Sequence, residues 1–260
     1  MVTRPMHQTK KLQALLEEQG AQVLLLPTIE IKPLPLGTQA KALLQKIHGF
    51  DVVIFVSANA VNAFLSQLDI SLVDMRKVKI GAIGAATASR LDQAGLPVSL
   101  LSADGRYQSE SLLALPELQE AKNKSILILR GIGGRQLLGD ELQKRGAAVR
   151  YLELYQRCPI ALAPHTLAEL NQHPVDIITT YSREALENLV SMLQNEWPAL
   201  HQTPLLVVSE AMQYLGKKLG FTREILLAGQ VSDRAVVESI VDWARRNDAD
   251  SAETNESGYP

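Results

Sequence analysis

Short apolar runs alternate with amphipathic stretches along the whole chain, the form that parallel-stranded α/β proteins take in sequence. The runs predict strands over 23–26, 52–56, 78–83, 126–129, 149–154, 177–180 and 205–208. Between them, segments 9–19, 60–68, 85–94, 136–145, 183–193 and 210–219 repeat apolar residues at spacings of three and four, as core-facing helices do. Several of these stop at Gly20, Gly95, Gly146 and Gly220, matching the preference for glycine just past a helix. Residues 247–260 are polar and lack either period, so they are expected to form a disordered tail.

The pattern occurs twice. Arg4, Gly20, Ala21, Val23 and Pro33 recur as Arg130, Gly146, Ala147, Val149 and Pro159, each 126 positions on. Asp51 to Ala60 then aligns with Asp176 to Ala185 at a spacing of 125, and Gly105 with Gly229 at 124. That period is far longer than the roughly 20–50 residues of a solenoid repeat, so the duplicated unit is a domain. In the first copy only Val2 and Thr3 precede Arg4, so either the chain start lies upstream or the first strand is short.

The matching segments 26–33 and 152–159 are extended in composition and bounded by prolines, as connectors between units are. The expected layout is one discontinuous domain, 1–28 plus 158–246, and a second over 34–153, with linker strands 29–33 and 154–157.

Composition narrows the function classes. The chain has 260 residues, 46% of them hydrophobic and 21% charged, the balance of an ordinary globular protein with enough apolar side chains for two cores. A formal net charge of −2 supplies no overall attraction to nucleic acid or anionic lipid, and neither is expected as a partner. Cys158 stands alone, which excludes an internal disulfide and a multi-cysteine zinc site. No signal-peptide core opens the sequence, and no apolar run reaches the roughly 18 residues of a membrane span. A cytoplasmic location is expected.

Candidate chemistry gathers where strands give way to helices: Thr3-Arg4-Pro5, Ser57-Ala58-Asn59, Gly84 to Thr87, Arg130 to Arg135, Ser182 and Ser209. In open α/β sheets ligands bind at this edge, and helix N-termini there present free N–H groups to anions. Serine and threonine are also ordinary helix caps with no ligand at all. Arg4, Arg130 and Arg135 are more telling, since a cation at a helix N-terminus opposes the helix dipole and calls for a carboxylate partner or an anionic ligand.

Gly131-Ile-Gly133-Gly134 follows an apolar strand, and Glu153 lies at about the distance of a ribose-binding acid. The third glycine position is Gln136, however, and no P-loop lysine follows. The five histidines are scattered, without metal-ligand spacing, and no metal is expected. Tyr155, in the connector where the first copy has Ile29, is a candidate proton donor because a tyrosine hydroxyl donates while staying neutral at working pH. Tyr107, Tyr151 and Tyr181 are its rivals.

Val2-Thr-Arg-Pro5, Phe55-Val-Ser57-Ala-Asn59-Ala-Val61, Ala82-Ile-Gly84-Ala-Ala-Thr87-Ala88, Ser109-Glu-Ser-Leu112, Arg130-Gly131, Gly134-Arg135, Tyr155-Gln-Arg157 and Asp176-Ile-Ile178, taken in order, resemble the uroporphyrinogen-III synthase family. The resemblance covers nearly the whole chain. It implies an α/β fold of two similar domains, each a parallel sheet flanked by helices, joined by a two-stranded linker with the active-site cleft between them. It implies a cofactor-independent, metal-free hydro-lyase, monomeric, of heme and siroheme biosynthesis. The substrate would be hydroxymethylbilane, a linear tetrapyrrole with eight carboxylates, closed with loss of water and inversion of ring D through a spiro-pyrrolenine. A transient contact with the deaminase that makes the bilane is a further implied partnership.

By the same resemblance Tyr155 would assist departure of the hydroxyl, Thr87 matches a threonine at the cleft, and Ser57, Asn59, Ser109 and Ser182 match positions bordering it. Ala58, Arg4, Arg130 and Tyr181 complete the expected substrate-binding set. The second copy departs from the family pattern with Ser209-Glu210-Ala211-Met212, and Glu210 argues against anion contact there. Two other readings fit the residues: a non-catalytic two-domain binder of an anionic metabolite, and a nucleotide-dependent enzyme using the Gly131 loop.

Overall fold

The computed structural model describes residues 1–67, 75, 77–102, 109–230 and 232–256, with side chains through residue 248. Tyr107, the end of the expected helix at Leu68 and the last four residues lie outside the described residues. The chain divides into two compact units, Met1–Glu30 with Cys158–Pro260 and Ile31–Arg157.

The second unit holds a sheet whose strands are β2 (Val52–Phe55), β3 (Lys79–Ala82), β4 (Leu100–Leu101), β5 (Ser125–Gly131) and β6 (Ala148–Pro159), with β1 (Ile29–Pro33) added at one edge, in the order β1-β6-β5-β2-β3-β4. Neighbours from β6 to β4 run parallel. Both faces are covered, which explains the unbroken apolar runs. Val53, Phe55, Leu127 and Leu129 join one core cluster, while their alternate neighbours Val52, Ile54, Ile126 and Ile128 join the other. Phe55 meets Phe64 edge to face at 5.4 Å, anchoring α3 (Ala58–Gln67) to the sheet.

The first unit repeats the plan at smaller scale. Strands β7 (Ile178–Thr179), β8 (Leu205–Val207) and β9 (Ile225–Leu227) are parallel and consecutive in order. Val2 adds parallel bridges to Leu25 and Thr179, so the chain's first residues lie between segments that are far apart in sequence. The strand expected over 23–26 is a single bridge at Leu25, where the Val2 N–H donates to the Leu24 carbonyl and the Leu26 N–H to the Val2 carbonyl, both at 2.9 Å. Leu205 and Val207 face one core cluster and Leu206 the other, again with period two.

Helix α9 (Arg183–Leu193) spans its predicted segment, fixed at the start by Ser182, whose hydroxyl accepts from the Ala185 N–H. Helices α2 (Thr38–Gln45) and α8 (Pro164–Gln172) stand where no element was expected. Helix α11 (Asp233–Glu256) runs into the segment expected to be a disordered tail. Its end includes Ala249, Ala252, Glu253 and Glu256, residue types that favour a helix without an apolar stripe. The chain passes between units in β1 and β6, which are hydrogen-bonded neighbours, and the Leu34 N–H donates to the Leu154 carbonyl at 2.8 Å.

Candidate functional site

Most of the expected residues fall at the C-terminal edges of the parallel strands in both units. In the second unit, β2 ends at Phe55 and the chain turns into α3 through Ser57, whose Oγ accepts the Ala60 N–H at 3.1 Å. The same Oγ lies 3.0 Å from the Tyr155 hydroxyl, joining two residues 98 positions apart. Tyr155 is 1% exposed, whereas Ser57, Ala58 and Asn59 are half-buried.

Tyr155 reaches Ser57 because of a local break in the sheet register. Along β5 and β6 the partners run to Arg130↔Glu153 and then jump to Gly131↔Tyr155. This skip turns the Tyr155 ring over the backbone of Gly131. A Cβ placed on Gly131 would lie 2.6 Å from Tyr155 Cζ, so the glycine is required by the tyrosine ring. That accounts for the first glycine of the apparent dinucleotide fingerprint. Glu153, the acid of that fingerprint, is held instead by Arg130 at 3.1 Å.

Arg130 also stacks on the Tyr151 ring, 4.1 Å from its centroid, and donates to the Gly134 carbonyl at 3.2 Å. Burial pushes the Tyr151 hydroxyl up from its ordinary pKa, against the opposing pull of Arg130. Thr87 is the third residue of α4 (Ala85–Asp92) and is 4% exposed, and Ser109 opens α5 (Ser109–Leu113) at 8%. Neither the α3 nor the α4 first turn carries an acid, and α4 begins after Gly84 without a side-chain cap.

In the first unit Arg4 pairs with Asp233, the first residue of α11, and lies over the Tyr181 ring at 3.5 Å. Both copies of the repeated arginine therefore find a carboxylate and a tyrosine face, the carboxylate being one of the two resolutions expected from their position at helix starts. No sequence signal marked Asp233 or Glu153 as these partners: Asp233 lies 229 positions from Arg4, and Glu153 stands at the spacing of a ligand-binding acid. Arg135 is exposed and forms no ion pair among the described residues.

The Tyr181 hydroxyl is buried, with at most a weak contact to the Thr179 side chain, and is pushed up to about 12, chiefly by that burial. Ser182, Ser209 and Ser232 cap α9, α10 (Glu210–Lys218) and α11, and each of those helices has an acid in its first turn. Among the described residues there is no cluster of His, Cys, Asp and Glu placed to hold a metal, and no helix is long and apolar enough to cross a membrane.

Known proteins resemble this chain along most of its length. The family model described as uroporphyrinogen-III synthase HemD matches residues 10–235. The uroporphyrinogen-III synthase of Escherichia coli (strain K12) is 33% identical over 250 residues, covering 92% of this chain and 98% of that one. That of Proteus mirabilis is 34% identical over 203 residues, covering 74% and 96% respectively. Two solved structures share the fold. A mutant uroporphyrinogen III synthase from the extremely thermophilic bacterium Thermus thermophilus has a TM-score of 0.58 at 19% identity, over 95% of this chain and 98% of that one. The uroporphyrinogen-III synthetase of Helicobacter pylori 26695 has a TM-score of 0.63 at 17% identity, over 86% and 94%. By both the family match and the near full-length relative, the chain belongs to the uroporphyrinogen-III synthase HemD family of tetrapyrrole biosynthesis enzymes.

Proposed function

We propose that the protein is a cofactor-independent lyase that closes hydroxymethylbilane to uroporphyrinogen III, with Tyr155 as the proton source for departure of the hydroxyl. The observation that carries this reading is the Tyr155–Ser57 hydroxyl pair, 3.0 Å apart at the C-terminal edge of the sheet. General acid catalysis needs a neutral donor fixed in place, and here Gly131 and the core hold the ring.

The substrate's eight carboxylates favour helix starts that carry no negative charge of their own. Helices α3 and α4 meet that condition, and each such N-terminus contributes roughly 0.3–1 kcal/mol to a nearby anion. Asn59, Ala58 and the α4 turn with Thr87 are the proposed contacts on this unit, with Arg130 at the end of β5 and Ser109 at the start of α5 as further candidates. Arg4, Tyr181 and Ser182 are proposed as further binding groups. Beyond proton supply, the protein holds the flexible bilane so that attack at the substituted carbon of ring D, giving the spiro-pyrrolenine, outruns direct closure.

A nucleotide-dependent reading loses its two supporting residues, since Gly131 is occupied by the Tyr155 ring and Glu153 by Arg130. The test supplies freshly made hydroxymethylbilane and identifies the oxidised uroporphyrin isomer. Isomer III is expected well above the buffer control; isomer I alone would sink the reading. Tyr155→Phe should lower turnover by about a hundredfold, the scale of a lost general acid.

A further inference from the structure

We propose that Ser57 is the hydroxyl that meets the substrate, and that Tyr155 delivers its proton through Ser57. This rests on the ring-closure reading above and divides its proton-transfer step between two residues. The exposures set the order: Tyr155 is 1% exposed, while Ser57 is half-buried at the sheet edge. The tyrosine cannot swing outward freely, because its ring lies against Gly131 within the core that contains Phe55, Leu129 and Leu154.

Valence at Ser57 does the rest. A hydroxyl has one proton and two lone pairs. The Ala60 N–H fills one lone pair at 3.1 Å, and the Tyr155 hydroxyl, 3.0 Å away, fills the other when it donates. With both lone pairs occupied, the proton of Ser57 is left for a third group. Two donors pointing at one oxygen also make that proton more acidic than a solvated serine's.

The step balances without a co-reactant. The Ser57 proton moves to the hydroxyl oxygen of the bilane as the carbon–oxygen bond breaks, and water leaves with the electron pair. Tyr155 reprotonates Ser57 and becomes a tyrosinate facing the azafulvene cation. When the last ring regains aromaticity, its carbon sheds a proton, which returns through Ser57 to Tyr155.

The experiment compares wild type with Ser57→Gly, Ser57→Ala, Ser57→Thr, Tyr155→Phe and the Ser57→Gly/Tyr155→Phe double variant on hydroxymethylbilane. Among residues without a side-chain cap, glycine costs a helix N-cap least, so Ser57→Gly removes the hydroxyl with a smaller folding penalty than Ser57→Ala, and thermal melting confirms the folded state. Relay predicts that Ser57→Gly and Tyr155→Phe each lower kcat about a hundredfold with KM within about twofold. The double variant falls no further than either single one, because the two act as a unit. Ser57→Thr recovers kcat to within about tenfold of wild type.

In mixed light and heavy water, wild-type kcat should curve with deuterium fraction, as for two protons in flight, and become linear in Tyr155→Phe. A purely structural serine would not alter that curvature. Losses that multiply in the double variant, or Ser57→Gly at wild-type turnover, overturn the relay while leaving the synthase reading standing. Wild type that yields no isomer III overturns the synthase reading itself.

Discussion

The two units place the same serine in the same place and surround it differently. Ser57 and its repeat-mate Ser182 both accept an N–H three residues on at 3.1 Å, so a cap is what the duplicated fold requires of each. Of the two, Ser57 carries a second hydroxyl, because the repeat-mate of Tyr155 is Ile29, which is buried at 6%. The helix starts differ as well. In the first unit α9, α10 and α11 open with Glu184, Glu210 and Asp233, whereas α3 and α4 in the second open with no acid. Shared residues report the fold, and the differences between the copies single out the α3 and α4 starts that are proposed to meet the anionic substrate.

The largest test of that contrast is Gly131→Val. The added side chain must displace the Tyr155 ring, with an expected loss of about 2–3 kcal/mol of stability in urea unfolding and of at least about a hundredfold in turnover. Full turnover in this variant would separate the ring's position from catalysis. A smaller effect is expected from Ala86→Glu, which gives the exposed α4 start an acid like those that open α9, α10 and α11. The helix should gain about 0.5 kcal/mol by its dipole while KM for the bilane rises about five- to tenfold, and an unchanged KM would remove α4 from the binding surface.

Tyr181→Phe should change least. Its hydroxyl is buried and makes no well-formed hydrogen bond beyond a weak contact to Thr179, so deletion at neutral pH should leave stability within about 1 kcal/mol or slightly raised, and Arg4 keeps an aromatic face. The pH dependence has a definite sign. An unfolded tyrosine ionises near pH 10 and this one at about 12, so the unfolded chain loses its proton first and stability falls as pH rises through that interval. Melting curves should show Tyr181→Phe gaining on wild type between those limits; parallel curves would contradict it.

The sequence was most legible where one physical rule acted alone. Helix α9 could be drawn end to end because its apolar stripe begins directly after a capping serine. The strand cores were legible because burial on both faces writes an unbroken apolar run. Helix α8 starts on a proline at its first position and buries only Leu170, so it offered little stripe to read. Helix α2 buries only Leu44 and follows Gly37 without a side-chain cap.

At the site, the hydroxyl residues were visible as caps and, through the family resemblance, as neighbours of a cleft, but their contacts with one another were not. Ser57 gains its second role from a tyrosine 98 positions away, turned inward by a register skip that no local pattern encodes. Gly131 misled for a related reason: glycine marks a close approach, and the sequence does not say whether the approaching group is a phosphate or a ring.

The two crossings through β1 and β6 also fix an order of assembly during synthesis. Residues 31–157 form a continuous unit and can collapse as soon as they leave the ribosome, whereas the first thirty residues must wait for partners such as Thr179. The nascent amino-terminal arm therefore stays unpaired while more than a hundred residues are translated, with Val2 and Leu12 exposed until the other half arrives to bury them. Closing that long loop is the slow, non-local step, and it makes the arm the segment most open to chaperones and proteases before the chain is finished.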